Sequence, residues 1–304
     1  MNEILLGINT GFAVNRYPNA AEWLRIVSEA GLKRVQITAD MIDPRGPNDF
    51  IESEIETILQ ASSEGGPIIT SAFTGALTRL NLFGHPNHAM RDFWLDWYRR
   101  FIDVVARLGA SSVGGHLSIL SIKDDTDEES RRNRLDHIMK CWIELSHYAA
   151  DRGIPCMIWE PMSISREFGE TLESAQQIQD RFDAAASPCD IKMCLDVDHG
   201  DIASPNPADT DPYAWMSKFA SATHCIHMKQ SLANKGGHWP FTEEYNKEGR
   251  IQKTEFIDQL RSHFNDDVEL FLELSFRERN PVDLKAPEHI GESVKYWVGN
   301  GVTA

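Results

Sequence analysis

The feature that most constrains this chain is a regular alternation of eight short apolar runs with longer amphipathic patterns. The runs are Ile4 to Ile8, Arg34 to Ile37, Ile68 to Ser71, Ser112 to Gly115, Cys156 to Trp159, Lys192 to Leu195, Cys225 to Met228 and Leu270 to Leu274, and they begin 30 to 45 residues apart. That spacing is the length of one strand–helix unit. A strand covered by helices on both faces reads as a continuous apolar run instead of an alternating one. Eight such units without a long linker predict an α/β fold: a single (β/α)8 TIM barrel over residues 1–304, with its chemistry at the C-terminal ends of the strands. The competitor is a doubly wound open sheet. No G-x-G-x-x-G or G-x-x-x-x-G-K-[ST] follows the first strand, which removes the usual nucleotide-binding signature of that class.

The helical stretches carry their own signals. Asn19 with Glu22 predicts a capping box, with Gly31 as the stop. Thr126 with Glu129 predicts a second, after which Leu135, Ile138, Met139, Trp142 and Ala149 share one face and Gly153 ends the helix. A third helix is expected from about Asn87 to Leu108, with Phe93, Trp97, Phe101, Val104 and Val105 inward.

Charge excludes some partners. Asp and Glu total 46 against 30 Lys and Arg, a formal net charge of −16. Nucleic acid and anionic membranes both need a dominant basic surface, so neither is expected. No segment approaches the roughly 18 consecutive apolar residues that span a bilayer. The first residues, MNEILLGINTGF, have no basic n-region, so no secretory signal is expected. Cys141, Cys156, Cys189, Cys194 and Cys225 are scattered without close pairs, as for buried thiols in a reducing cytoplasm.

The strand ends of the second half carry an ordered polar set. At or beside the ends of runs five to eight stand Glu160, Asp196, His227 and Glu273, separated by 36, 31 and 46 residues (160 to 196 to 227 to 273). Four consecutive strands therefore aim three carboxylates and an imidazole at one point. Such carboxylates repel one another unless a positive charge sits among them, and a divalent metal ion is the simple solution. Oxygen-rich donors with one imidazole suit Mn²⁺, Mg²⁺, Co²⁺ or Zn²⁺ alike. His199, just past the sixth strand, is expected to face substrate or to be an ordinary turn histidine. His116, after Gly114 and Gly115, is a similar candidate. Lys229, Lys235, Arg277 and Arg279 cluster in the last two loops, with Gly236, Gly237 and His238 offering backbone amides. In an otherwise acidic chain these favour a phosphorylated substrate.

Asp196-Val197-Asp198-His199 resembles the D-x-x-H element of the xylose-isomerase-like sugar isomerases and epimerases, which are metal-dependent barrels. Glu160, His227 and Glu273 fall where that superfamily has its other ligands. Four stretches are more narrowly similar to the tetrulose-phosphate 3-epimerases of bacterial erythritol breakdown: GINTGFAVNR (7–16), WEPMSISRE (159–167), LDVDHGD (195–201) and GHWPFT (237–242). One departure is that Glu167 stands seven residues after Glu160, where related sugar 3-epimerases have an acid at six. The resemblance implies racemisation at C3 of erythrulose 1-phosphate through an enediolate. Glu160 and Glu273 would then be acid and base as well as ligands, and His199 would bind a substrate oxygen.

Rival readings share the scaffold: an aldose–ketose isomerase, a dehydratase, a sugar-binding barrel without activity, or an abasic-site endonuclease. The endonuclease would need more histidine ligands and a basic face. Fold-level analogy alone suggests a homo-oligomer paired through aromatic helical surfaces.

Overall fold

The computed structural model describes residues 3–232, 235–276 and 281–304, without the side chains of residues 235, 236, 281 and 282. The barrel strands are β1 (Ile4–Asn9), β2 (Arg34–Thr38), β3 (Ile68–Phe73), β4 (Ser112–His116), β5 (Cys156–Glu160), β6 (Asp190–Asp196), β7 (Thr223–Met228) and β8 (Val268–Leu272). Each pairs in parallel with the next. The ring closes where β8 meets β1, with Ile4 opposite Val268 and Ile8 opposite Leu272. The expected runs all lie on these strands, apart from Glu273 and Leu274, which follow the end of β8. The principal helices are α1 (Ala20–Glu29), α2 (Asn48–Ser63), α3 (His88–Arg107), α4 (Glu128–Ala150), α5 (Leu172–Ala185), α6 (Pro212–Phe219), α7 (Lys253–His263) and α8 (Ala286–Trp297). No described helix is long and apolar enough to cross a membrane.

Two helix starts differ in detail from expectation. Asn19 occupies the N-cap of α1 but its side chain makes no capping bond, and its amide instead reaches Glu22 at 3.5 Å. Asp127, not Thr126, caps α4, accepting from the Ser130 amide at 2.8 Å; Thr126 instead ends the preceding short helix, Ile122–Thr126. On α3 the expected inward face holds for Trp97, Phe101, Val104 and Val105, while Phe93 is 41% exposed and Tyr98 takes the buried position. Trp142 and Trp159 are fully buried, and their indole N–H groups donate to the Leu117 carbonyl and to Gln179.

Alternation along the strands places the polar site. Phe73, Cys156, Ile158, Cys194, Cys225 and Phe271 form a separate buried cluster inside the barrel, whereas Trp159, Leu195, Ile226 and Leu272 pack outward in the main core. Side chains two residues apart share a face. The residue two beyond Ile158 is therefore Glu160; beyond Cys194 it is Asp196, beyond Cys225 His227, and beyond Phe271 Glu273. The carboxylates and the imidazole form the polar lid of an apolar barrel interior. Gly114 permits β4 to lie close beside β5, since a Cβ there would sit 1.6 Å from the Ile158 carbonyl oxygen.

At the opposite end of β7, His224 is pushed down to about 4 by burial, reinforced by Lys192, and its Nε2 has no partner among the described residues. Its folded pKa lies below the unfolded value, so the native state binds fewer protons than the unfolded chain in this range. Stability from this group is therefore complete above about pH 6.5 and is lost as pH falls toward 4, to a total of about 3 kcal/mol. Urea midpoints of the wild type are expected to fall across that window, and His224→Gln is expected to flatten the fall. An unchanged slope in the variant would remove His224 as a source of acid lability.

Candidate active site

Register brings the strand-end residues side by side. His116 on β4 is opposite Glu160 on β5, and Asp196 on β6 is opposite His227 on β7. Glu273 follows β8, its amide bonded to the Met228 carbonyl at 2.9 Å, so its side chain stands beside Lys229. The structure thus brings together all four sequence-predicted ligands. His227 Nδ1 lies 2.9 Å from Glu160 Oε1 and 3.8 Å from Glu273 Oε1. Donor atoms of Asp196, His227 and Glu273 fall within 4.8 Å of one another, as do those of Glu160, Asp196 and His199.

Lys229 stands elsewhere than a rim cation would. It is 1% exposed, and its Nζ bridges Asp196 Oδ2 at 2.5 Å and Glu273 Oε2 at 2.7 Å. It neutralises the cluster from beneath, and its ammonium is already committed to two carboxylates. Gly237 is likewise committed, since its amide donates to Asp198 Oδ2 at 3.0 Å. The Lys235 side chain, Arg277, Glu278 and Arg279 lie outside the described residues.

The charges are strongly interdependent. Burial opposes ionisation of Glu273, but Lys229 and His227 outweigh it and hold the carboxyl well below its ordinary range. Asp196 is lowered in the same way, against its own burial, by His199 and Lys229. For His227 burial disfavours the charged ring, yet Glu273 and Glu160 push it up to about 10. An imidazole nitrogen that faces two carboxylates needs a proton or a metal ion between them. The donor set of three carboxylates and one imidazole fits a hard or borderline divalent ion.

A cavity of about 390 Å³ opens above the cluster. Glu160, Glu273, His116 and His199 line it, whereas Asp196, His227 and Lys229 lie beneath. His199 donates from Nδ1 to the Pro161 carbonyl at 2.9 Å, leaving Nε2 toward Asp196 at 3.6 Å. His116 is buried, its Nε2 bonds the Leu80 carbonyl at 3.0 Å, and burial lowers its pKa, keeping it neutral near pH 7. Glu167 sits outside the lining and pairs with Arg79 at 2.5 Å.

Sequence reasoning missed several lining residues. Arg16 and Arg79 reach the cavity from the loops after β1 and β3, and Asp40 from the loop after β2. Arg16 is paired with Asp283, and its buried Nη2 has no partner among the described residues. His238 also lines the cavity and approaches Glu273 Oε2 at 3.4 Å. Loop residues of this kind carry no periodic signal.

Known proteins share this arrangement of strands. Residues 24–298 match the family described as xylose isomerase-like TIM barrel. A Brucella abortus (strain 2308) protein, D-erythrulose 1-phosphate 3-epimerase, is 38% identical over 295 residues, covering 97% of this chain and 95% of its own. A structure from Rhodospirillum rubrum, provisionally called a xylose isomerase, superposes with a TM-score of 0.85 at 21% identity, covering 98% of both chains. D-allulose 3-epimerase from Methylomonas sp. gives a TM-score of 0.69 at 16% identity, covering 97% of both. With the ring of strands closed and the match running through nearly all of it, the chain belongs to the xylose isomerase-like TIM barrel family.

Proposed function

We propose that this chain is a divalent-metal-dependent sugar 3-epimerase, an isomerase that interconverts L- and D-erythrulose 1-phosphate. One observation carries the reading: of the cluster's three carboxylates, only Glu160 and Glu273 line the cavity, and they come from β5 and from the end of β8. Two proton-carrying groups on one substrate cavity are what inversion beside a carbonyl requires. The substrate is supported by the 38% identity, over nearly the whole chain, to a protein of that name. A place in erythritol breakdown rests on the likeness of residues 7–16, 159–167, 195–201 and 237–242 to the tetrulose-phosphate 3-epimerases of that route. Five free, buried cysteines fit a reducing cytoplasm.

In erythrulose 1-phosphate the carbonyl is C2 and the only stereocentre is C3. A divalent ion held by Glu160, Asp196, His227 and Glu273 supplies Lewis acidity, lowering the cost of negative charge on the C2 oxygen. One glutamate accepts the C3 proton, and the C–H electron pair moves into an enediolate. The other glutamate, protonated beforehand, delivers its proton to the opposite face of C3. The two carboxyls thereby exchange protonation states, and solvent resets them, so no redox cofactor enters. His199 holds a substrate oxygen and disperses charge as the proton leaves. His116 adds a neutral contact. Arg16 and Arg79, with Lys235 and Arg277, supply the cationic side for the phosphate.

The test is proton NMR of L-erythrulose 1-phosphate with enzyme and Mn²⁺ in D₂O, followed by chiral analysis. Deuterium at C3 with racemisation is expected. Return of the proton to C2, which moves the carbonyl to C3, would make the enzyme an isomerase of a different kind, and loss of water would make it a dehydratase.

A further inference from the structure

We propose that Gln36, itself oriented by Asn9, is a positioning residue that fixes His227 with its proton on Nε2 and its Nδ1 lone pair toward the carboxylates. This rests on the reading that the cluster holds a divalent ion, but not on the substrate.

Gly11 supplies the one group in this chain of contacts whose role has no ambiguity. Its backbone N–H can only donate, and it points at Asn9 Oδ1 at 2.8 Å. The oxygen of the Asn9 carboxamide is thereby assigned, so its Nδ2 must be the atom 2.7 Å from Gln36 Oε1. That contact assigns the oxygen of Gln36 in turn, and its own nitrogen faces Ser71 Oγ at 3.1 Å. Gln36 Oε1 also lies 2.7 Å from His227 Nε2. A carboxamide oxygen only accepts, so Nε2 carries the hydrogen.

The other ring nitrogen then has two options. Nδ1 faces Glu160 Oε1 at 2.9 Å and Glu273 Oε1 at 3.8 Å, both acceptors. A lone pair cannot rest against two carboxylate oxygens unless a proton or a metal ion lies between them. Gln36 thus selects the tautomer in which a cation at Nδ1 completes the site, and Phe73 packs edge-on to the ring with centroids 4.8 Å apart. Asn9, Gln36 and His227 are at most 2% exposed, so water does not substitute for any of these bonds. The two carboxamides come from β1 and β2, outside the four strands that supply the ligands. Outer partners of metal-binding histidines fix ring orientation and tautomer, and losing one typically lowers metal affinity about 10–100-fold.

The decisive variant is Asn9→Asp. It keeps the Gly11 bond but removes the donor that orients Gln36, so Gln36 turns its nitrogen toward the introduced carboxylate and toward His227 Nε2. The ring tautomer reverses and Mn²⁺ binding weakens by at least about tenfold. Simple electrostatics predicts the opposite, because a new carboxylate near a cation site would tighten binding. Titration calorimetry and Mn²⁺ EPR on the full chain measure it. Gln36→Leu is expected to lose affinity similarly, and Gln36→Glu, which keeps the acceptor, to retain it. Unchanged or tighter binding in Asn9→Asp overturns the proposal, as does an equal loss in Gln36→Glu and Gln36→Leu. If a variant does not fold, the wild type still decides: with Co²⁺ bound it should show a solvent-exchangeable, paramagnetically shifted proton from Nε2–H, and its absence overturns the assignment. A wild type that binds no divalent ion overturns the metal reading itself.

Discussion

Glu160→Gln and Glu273→Gln should each lower racemisation by about 10³-fold, within the range typical of a lost general acid or base. Glutamine keeps the shape and one oxygen but cannot hold a transferable proton. The loss has two possible origins, because each glutamate is also placed among the proposed ligands. They separate by a second readout. If one base is gone and the ion remains, the other glutamate can still remove and return the C3 proton on its own face. Each variant should then exchange C3–H for deuterium in one enantiomer only, without inversion, and the two variants should prefer opposite enantiomers. A variant that merely lost its ion would stop exchanging both. Steady racemisation in both variants would sink the two-carboxylate mechanism.

The second large effect is expected at Lys229. Its ammonium bridges Asp196 and Glu273 at the floor of the cavity, and Lys229 and Asp196 are both buried. Lys229→Met keeps the volume but leaves the carboxylates uncompensated. Breaking a buried pair in this way costs about 3–5 kcal/mol, equivalent to a fall in Tm on the order of 10 °C for a chain of this size. The penalty has a sign with pH. Asp196 and Glu273 have folded pKa values below their ordinary ones, so their stabilisation is present above the carboxylate range and lost in acid. The gap between variant and wild type should therefore narrow as pH falls through that range. Mn²⁺ should rescue the variant by more than it stabilises the wild type, because the ion supplies the missing positive charge. Equal Tm values in metal-free buffer at neutral pH would show that the cluster does not depend on Lys229.

Lys229 also shows how far the sequence could be read. Cys225, His227 and Lys229 follow the same period of two, and that parity points Lys229 inward with the ligand. The competing signal was its position one residue past the apolar run, among other cations of a loop. The parity won, because the two carboxylates it meets offset the cost of burial. The four proposed ligands were legible for a related reason: each lies at or beside the end of an apolar run and two residues beyond an inward-facing core residue. Asn9 and Gln36 were also visible as polar residues in or at the end of apolar runs. Their partnership with His227 was not, since Gln36 and His227 are 191 residues apart. Arg79 and Asp40 gave no signal, and Arg16 stood only as the last residue of the stretch 7–16 with no role attached, because loop conformation follows from tertiary contacts.

By itself the sequence determined the number of strand–helix units, the end of the barrel where the polar cluster forms, and the four side chains aimed there. Those are properties of local periodicity and spacing, which every segment carries on its own. The tertiary structure decided which polar atoms meet: Lys229 beneath the carboxylates, Gln36 behind the imidazole, and arginines from the first and third loops beside the cavity. Closing the ring brings β1 and β2 around to β7 and β8. Buried polar groups must then find partners across it, and that choice depends on register and rotamer far beyond any local window.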